Sequence, residues 1–514
     1  MKKMFSGSVC SYCLAGILLL TCTIAYAAAP PKKGKALHTY LSQYENVLGT
    51  SMELKVSTYT QVRATEAEKT ALAEIKKLSE ILSAYDKESE FSKWQKTCGQ
   101  PVPVSNELFE VMQLFDVWRN RTGGALDASA EIVTRLWKKA ASTNRVPTQQ
   151  ELNNAVAEIK QTHWVLNPKT RTATHLDNAP LMLNSFVKSY IIKHAVNEAM
   201  KPGDVKAVVL NIGGDIVVSG DVTENVLVKD PKADAENEAP IASLRISDKA
   251  VATSGNYRRG ELIGGHWYSH IVDPRTGLPA DDIISATVVA PDAADAGALA
   301  TAFNVMSLPE SVQLASTMPG VEYLIVTRDG KQQTSKGWGS LKAAYKENGI
   351  VGNLNTKTGN REAGGNSFEM IINLEINTQK EGFAKRPYLA VWIEDTMHSP
   401  VRTVSIWHGS DRYMPELKSW YLKYRTIYNS DMNFKSSTSS ATRSAGKYTL
   451  KWDGKDDKGN YVKPGKYIVK IEAAREHGTH QLMRQEIDCD NTPKQINLPG
   501  NIEISSVSLD YHKN

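Results

Sequence analysis

Cysteine is scarce in this chain: five among 514 residues, with Cys10, Cys13 and Cys22 crowded into the start. Behind the positive opening of Lys2 and Lys3 and an apolar run, Ala25-Tyr26-Ala27 reads as a small-x-small cleavage signal, so residues 1–27 are expected to be a signal peptide. Cleavage would remove those three cysteines and leave Cys98 and Cys489, too few for a disulfide framework. In an oxidising compartment the two could still pair, and the sequence leaves that open. Long apolar runs are also missing. Residues 14–22 are too short to span a bilayer, and Thr21 before Cys22 makes a poor lipidation site. No basic block stands out: 61 Lys and Arg face 56 Asp and Glu, which gives no footprint for nucleic acid. These absences point to a soluble protein exported to the periplasm or beyond.

What is present is enough chain for two or three domains, each with its own core. Between 35 and 350, helical periods alternate with short β-branched runs. Leu72, Ile75, Leu78, Ile81 and Leu82 recur at three and four residues, which predicts a helix over 65–85 opened by a Thr65–Glu68 capping box. Further helices are expected at 108–118, from a Thr148–Glu151 box to 159, at 186–200 and at 293–305. Strands are expected at 207–210, 216–218, 226–228, 266–272, 285–289 and 321–327. The class is α+β, with a substantial sheet. Residues 351–366 are polar and glycine-rich and read as a linker. From 367 to 514 alternating runs at 368–376, 388–394, 448–452 and 466–473 predict a small all-β sandwich.

Four short segments could carry chemistry. In His270-Ile271-Val272-Asp273-Pro274-Arg275-Thr276-Gly277, the proline disfavours helix, which places His270 at a strand end and 273–277 in a turn. Alone, this octet reads equally well as a surface turn. Asn211-Ile212-Gly213-Gly214-Asp215 follows an apolar run, and its glycines could bring backbone amides close to a phosphate, or merely form a tight turn. It is not a Rossmann fingerprint. Thr253-Ser254-Gly255-Asn256-Tyr257 offers hydroxyls and a ring, and Gly124-Ala125-Leu126-Asp127 offers a carboxylate after two glycines. Thr301 could lend oxygen to a hard cation or serve packing alone.

In order and spacing these segments together resemble the FAD:protein FMN transferases, the ApbE-like family. Leu48-Gly49-Thr50 is similar to the family's opening Met-Gly-Thr, residues 85–90 to its Tyr-x-x-x-Ser-Glu, and residues 124–127 to its Gly-Ala-Phe-Asp. Residues 211–215, 253–257 and 270–277 match almost literally, and the resemblance covers roughly 45–345. It implies an ApbE-like mixed α/β domain over 35–350 that binds FAD with magnesium. Such enzymes transfer FMN to a threonine of an exported flavin-carrying redox protein and release AMP. By this resemblance His270 is the base, and Asp273 orients it or holds the turn. Leu48, Tyr85, Ala125, Leu126, Asp127, Lys188 and Val272 fall at FAD contacts. Asn211, Gly213, Gly214, Asp215, Thr253, Ser254, Gly255 and Tyr257 lie in the nucleotide-binding motifs. The metal would fall to the Ser185 carbonyl, Thr301 and the nearby Asp295.

The chain also departs from the family pattern. Four residues before Thr301, where the family has aspartate, stands Gly297. Asp295 lies six residues before Thr301, about 600° of helix rotation away, and so on a different face. Met182-Leu183-Asn184-Ser185 replaces an Asp-Leu-Gly segment, and Lys188-Ser189-Tyr190 replaces Lys-Gly-Tyr. These departures weigh against magnesium and keep two rivals open: a catalytically impaired flavin-binding scaffold, and an FAD pyrophosphatase. The C-terminal region resembles a β-domain of unknown role often fused to these transferases, and its Trp452-Asp453-Gly454 pattern is similar to flagellar hook-cap sandwiches. Within it, residues 438–442 echo the sequence such transferases modify, which makes Thr442 a candidate acceptor in cis, although Ser436 replaces the usual leading aspartate and a serine-rich loop is the stronger explanation.

Overall fold

A computed structural model describes residues 36–513, except 257–258, 344, 348–349, 353–367, 378–385, 410, 432–433, 436–437, 441, 476–477 and 491. The expected signal peptide, the expected linker from 353 onward and Tyr257 thus lie outside the described residues. Left-handed backbone at Asn46, Leu48 and Gly49 turns β1 (His38–Val47) back onto β2 (Thr50–Thr58). There follow β3 (Ala207–Ile212), β4 (Asp215–Gly220), β5 (Lys249–Gly255), β6 (Ile283–Ala290), β7 (Glu322–Thr327) and β8 (Gln332–Thr334). These eight strands lie side by side in chain order, each antiparallel to the next.

One sheet face is covered by α1 (Gln61–Leu82), α2 (Val187–Met200) and α3 (Ala293–Val305). Leu54, Leu210 and Ala252 from the strands meet Leu78, Ile192 and Phe303 from the helices in the main core. On the opposite face a ribbon of Glu224–Val228 and Ala242–Ile246 packs with Val209, Val251, Leu324 and Trp338. The alternation of strand residues between two apolar layers explains why these strands read as continuous hydrophobic runs. The α3 bounds are those the sequence predicts. The Thr148–Glu151 capping box is formed as well. The start of α1 is a correction: Thr60, in extended backbone directly after β2, caps the helix, and Glu68 instead accepts from the Tyr44 hydroxyl. The strand expected at 266–272 stops at Ser269, where it has formed a short hairpin with Gly260–Ile263.

Past residue 367 two sheets, antiparallel but for one short parallel pairing at Ser439–Ser440, enclose one core. Gly446–Trp452, Phe368–Ile376, Ile504–Lys513 and Lys494–Pro499 form the first. The second is centred on Tyr388–Asp395, between Pro400–Trp407 and Gly465–Ala474. Ile372, Trp452 and Leu509 face Val391, Trp407 and Val469 across the sandwich. A helix over Lys418–Ser430, which the sequence reading missed, buries Trp420, Tyr424 and Tyr428 against the outer side of Trp392. Their four-residue spacing was the available signal. Cys98 is exposed, Cys489 is buried, and both are free thiols.

Candidate active site

The turn between β3 and β4 is two residues long. Gly213 and Gly214 sit at φ +58° and +94°, the left-handed pair that a tight hairpin of this kind requires. The Asn211 side chain accepts from the Gly214 amide at 3.0 Å and holds the turn closed. A Cβ at Gly213 would lie 2.6 Å from Thr50 Cγ2, so glycine is needed for room as well as for backbone freedom. Asp215, the first residue beyond the turn, is buried. The start of α2 is built to meet it: the Ser189 hydroxyl donates to one carboxylate oxygen at 2.7 Å, and Lys188 Nζ lies 3.3 Å from the other. Burial pushes the Asp215 carboxyl above its usual range, and Lys188 and Ser189 pull in the opposite direction.

The next layer comes from α3. Asp292 caps it by accepting from the amides of Ala294 and Asp295, and pairs with Lys193 of α2. That lysine and the two amides hold the Asp292 carboxyl down against the effect of burial. Thr301 Oγ1 donates to the Ser185 carbonyl at 2.9 Å, so two of the three expected metal-binding residues do meet. The third is a correction. Asp295 is not bonded to either, and burial and the neighbouring Asp292 raise its carboxyl, as expected for a residue on a different helix face. One turn before Thr301, the open side of Gly297 is filled by Ser189: a Cβ there would come within 2.5 Å of Ser189 Oγ. Magnesium prefers near-octahedral oxygen and is usually held through carboxylates. Among the described residues none is bonded to Thr301 or Ser185, and no cluster of three His, Cys, Asp or Glu able to hold a metal occurs. The residues present do not fit magnesium at this position.

Loops join these elements into one region. The exposed Tyr85 accepts at its hydroxyl from Asn184 Nδ2 at 2.6 Å, next to Ser185. The Met182 amide bonds to the Ala128 carbonyl, which ties the 182–185 segment to the 124–130 loop. In that loop Ala125 and Leu126 are buried, and Asp127 accepts from the Ser129 amide and hydroxyl while Arg119 Nε lies 2.7 Å away. Arg119 and Asn184 are the site partners that the sequence reading missed. Arg119 belongs to no recognisable motif, and Asn184, although inside the 182–185 segment already noted, gives no sign in sequence of its partner Tyr85, 99 positions away. Thr253 and Ser254 are consecutive on β5, so their side chains leave opposite faces of the sheet and cannot both reach one ligand. The Thr253 hydroxyl is bonded to that of Thr287, while Asn256 is a buried brace donating to the carbonyls of Ala280 and Ile283.

His270 stands just beyond the Gly260–Ser269 hairpin, with Nδ1 3.0 Å from the Arg259 carbonyl. His270 is exposed as a residue, but partial desolvation of its ring disfavours the imidazolium and holds its pKa below the usual value. Asp273 takes the turn-holding one of its two expected roles. It accepts from the Arg275 amide at 2.8 Å and from its guanidinium at 2.9 Å, and does not touch His270. Arg275 in turn reaches Glu310 and passes 3.7 Å from the Cβ position of Gly124, which brings the octet against the 124–127 loop. Val272 points away from the site into a cluster with Val133 and Trp137. Thr442 lies elsewhere, in the sandwich, 2% exposed.

Residues 48–325, more than half of the chain, match the family described as the ApbE family. The chain belongs to the ApbE family. Residues 369–506 match a second family, described as "Predicted periplasmic protein (DUF2271)". Among relatives, an FAD:protein FMN transferase of Treponema pallidum is 27% identical over 64% of this chain and 95% of its own length. One from Vibrio cholerae is 28% identical over 55% of this chain and 86% of its own length. The crystal structure of an ApbE protein from Thermotoga maritima superposes with a TM-score of 0.54 at 25% identity, covering 60% of this chain and all of its own. No helix among the described residues is long and apolar enough to cross a membrane.

Proposed function

We propose that this ApbE-family chain is an exported flavin transferase that takes FAD as donor and moves FMN to a threonine of an exported redox protein. The observation that carries the reading is His270. Its Nδ1 is committed to a backbone carbonyl, which leaves Nε2 available as a base. In the proposed reaction the acceptor threonine oxygen attacks the flavin-side phosphorus. Its proton passes to His270 Nε2, the bond to the second phosphate breaks, and AMP leaves. Tyr85 could stack on a flat ring, Lys188 could meet a phosphate, and Leu48 and the 124–127 and 211–215 segments would shape the remaining contacts.

The full chain incubated with FAD and an exported flavin-carrying acceptor, with magnesium or with chelator, should give covalent flavin on the acceptor and AMP. Free FMN with AMP would instead identify a pyrophosphatase using water. A second reading, a flavin-binding protein without turnover, is favoured by Gly297, and FAD binding with no AMP under any condition would establish it.

A further inference from the structure

Positions 189 and 297 are packed as a complementary pair. Gly297 of α3 has no room for a side chain because Ser189 Oγ stands 2.5 Å from where its Cβ would be, with Ser189 Cβ at 3.0 Å and the Phe186 backbone at 3.3 Å. Ser189 cannot simply turn aside, since its hydroxyl holds buried Asp215 at 2.7 Å and a buried carboxylate is costly to leave unbonded. At the neighbouring position the Thr301 hydroxyl donates to the Ser185 carbonyl, with no carboxylate among the described residues bonded to either. An ammonium is drawn into this cluster: Lys188 Nζ lies 3.3 Å from Asp215 and 3.5 Å from the Gly213 carbonyl, at the edge of the glycine turn and one-third exposed.

We propose that Ser189 closes this site to a divalent cation and that Lys188 supplies the positive charge a diphosphate would meet in its place. The second half rests on the flavin-nucleotide reading given above, whereas the first does not. Phosphate charge needs neutralising whatever the chemistry, and an anchored ammonium can do so as a point charge without the ordered coordination shell that magnesium demands.

Two measurements on the full chain test this. In the first, manganous ion alone is titrated and free ion is followed by electron paramagnetic resonance. Wild type should leave the free-ion signal as in buffer, and Gly297→Asp alone should gain no site, because Ser189 blocks it. The double substitution Ser189→Gly with Gly297→Asp should bind one ion. Manganese bound by wild type and lost in Thr301→Val would overturn the proposal, as would a folded double variant that binds none. In the second, FAD binding is read by flavin fluorescence. The affinity should be the same in chelator and in magnesium, and Lys188→Met should weaken it about tenfold in chelator. An affinity that requires magnesium would overturn the role of Lys188. Failure to bind FAD in either condition would remove that role together with the functional reading, while the manganese result would still decide the role of Ser189.

Discussion

His270 Nδ1 and the Arg259 carbonyl are 3.0 Å apart. A carbonyl only accepts, so the proton resides on Nδ1 and the lone pair on Nε2. Burial lowers the pKa of the ring from 6.5, the bond to Arg259 opposes this, and the Arg259 charge adds to it. Between the lowered value and 6.5 the unfolded chain binds more protons, so this group's contribution to stability is present above 6.5 and lost as pH falls through the folded value. The same shift keeps the base neutral. The acid limb of the transfer rate is therefore expected below pH 6.5. His270→Gln should cost about 10²- to 10⁴-fold in kcat with FAD affinity retained. An acid limb that persists unchanged in His270→Gln would exclude this residue as the base.

Asp273 works on a different link of the chain, the local turn. Asp273→Asn keeps an oxygen for the Arg275 amide but loses the paired charge on a partly exposed guanidinium, a loss of about 1 kcal/mol or less. Asp273→Ala loses the turn acceptor as well and should cost about 1–3 kcal/mol more. Thermal unfolding measures both. Because Asp273 does not touch His270, the acid limb of the rate should stay in place in Asp273→Asn. A shift of that limb would show that Asp273 acts on the base after all.

The glycine turn separates two causes of strain. Gly213→Ala places a Cβ 2.6 Å from Thr50 at φ +58° and should destabilise by about 2–4 kcal/mol. Gly214→Ala meets nothing within 4 Å, so only its backbone at φ +94° resists, and about 1–2 kcal/mol is expected. Urea unfolding of the two variants side by side checks the order. Equal losses would mean that Thr50 moves aside freely.

The segment between Val228 and Ala242 makes a testable link to the sandwich. The Asn237 side chain donates to the Lys451 carbonyl at 2.8 Å and accepts from the Lys451 amide at 2.9 Å. Lys451 lies on Gly446–Trp452, an edge strand of its sheet, so Asn237 satisfies backbone groups that would otherwise remain open. Glu236 adds a backbone bond to Thr449 and an ion pair with Arg443. Asn237→Ala should cost about 1–3 kcal/mol and speed protease cleavage within 229–241. Unchanged cleavage would mean that the rest of this contact holds the segment without Asn237.

Much of this was legible in the sequence because it is local. Periodicity placed α2 and α3 within a residue or so. The glycine pair and the Asp-Pro turn are readable from backbone chemistry alone. What was not legible depends on residues that meet only after folding. Nothing near Asp127 announces Arg119, and nothing near Tyr85 announces Asn184. The substitutions at 189 and 297 were visible singly as departures from a family pattern, but their dependence on each other appears only when α2 and α3 pack. The helix at 418–430 was passed over for another reason. It carries apolar surface on large aromatics with polar neighbours, and its surroundings are uniformly strand-like, so local pattern and regional pattern conflict.

Thr442 provides the remaining test, and here the structure corrects an expectation. A threonine that accepts a bulky flavin phosphate must present its hydroxyl to a site on another element. Thr442 is 2% exposed, four residues before the strand Gly446–Trp452. Exposing it would require a local opening of the structure around it. Purified protein is therefore expected to release all of its flavin on denaturation, with no fluorescence left on the chain in a denaturing gel. Thr442→Ala should behave like wild type in this assay. Flavin that stays on denatured wild type and disappears in Thr442→Ala would show that the sandwich opens far enough to be modified in cis.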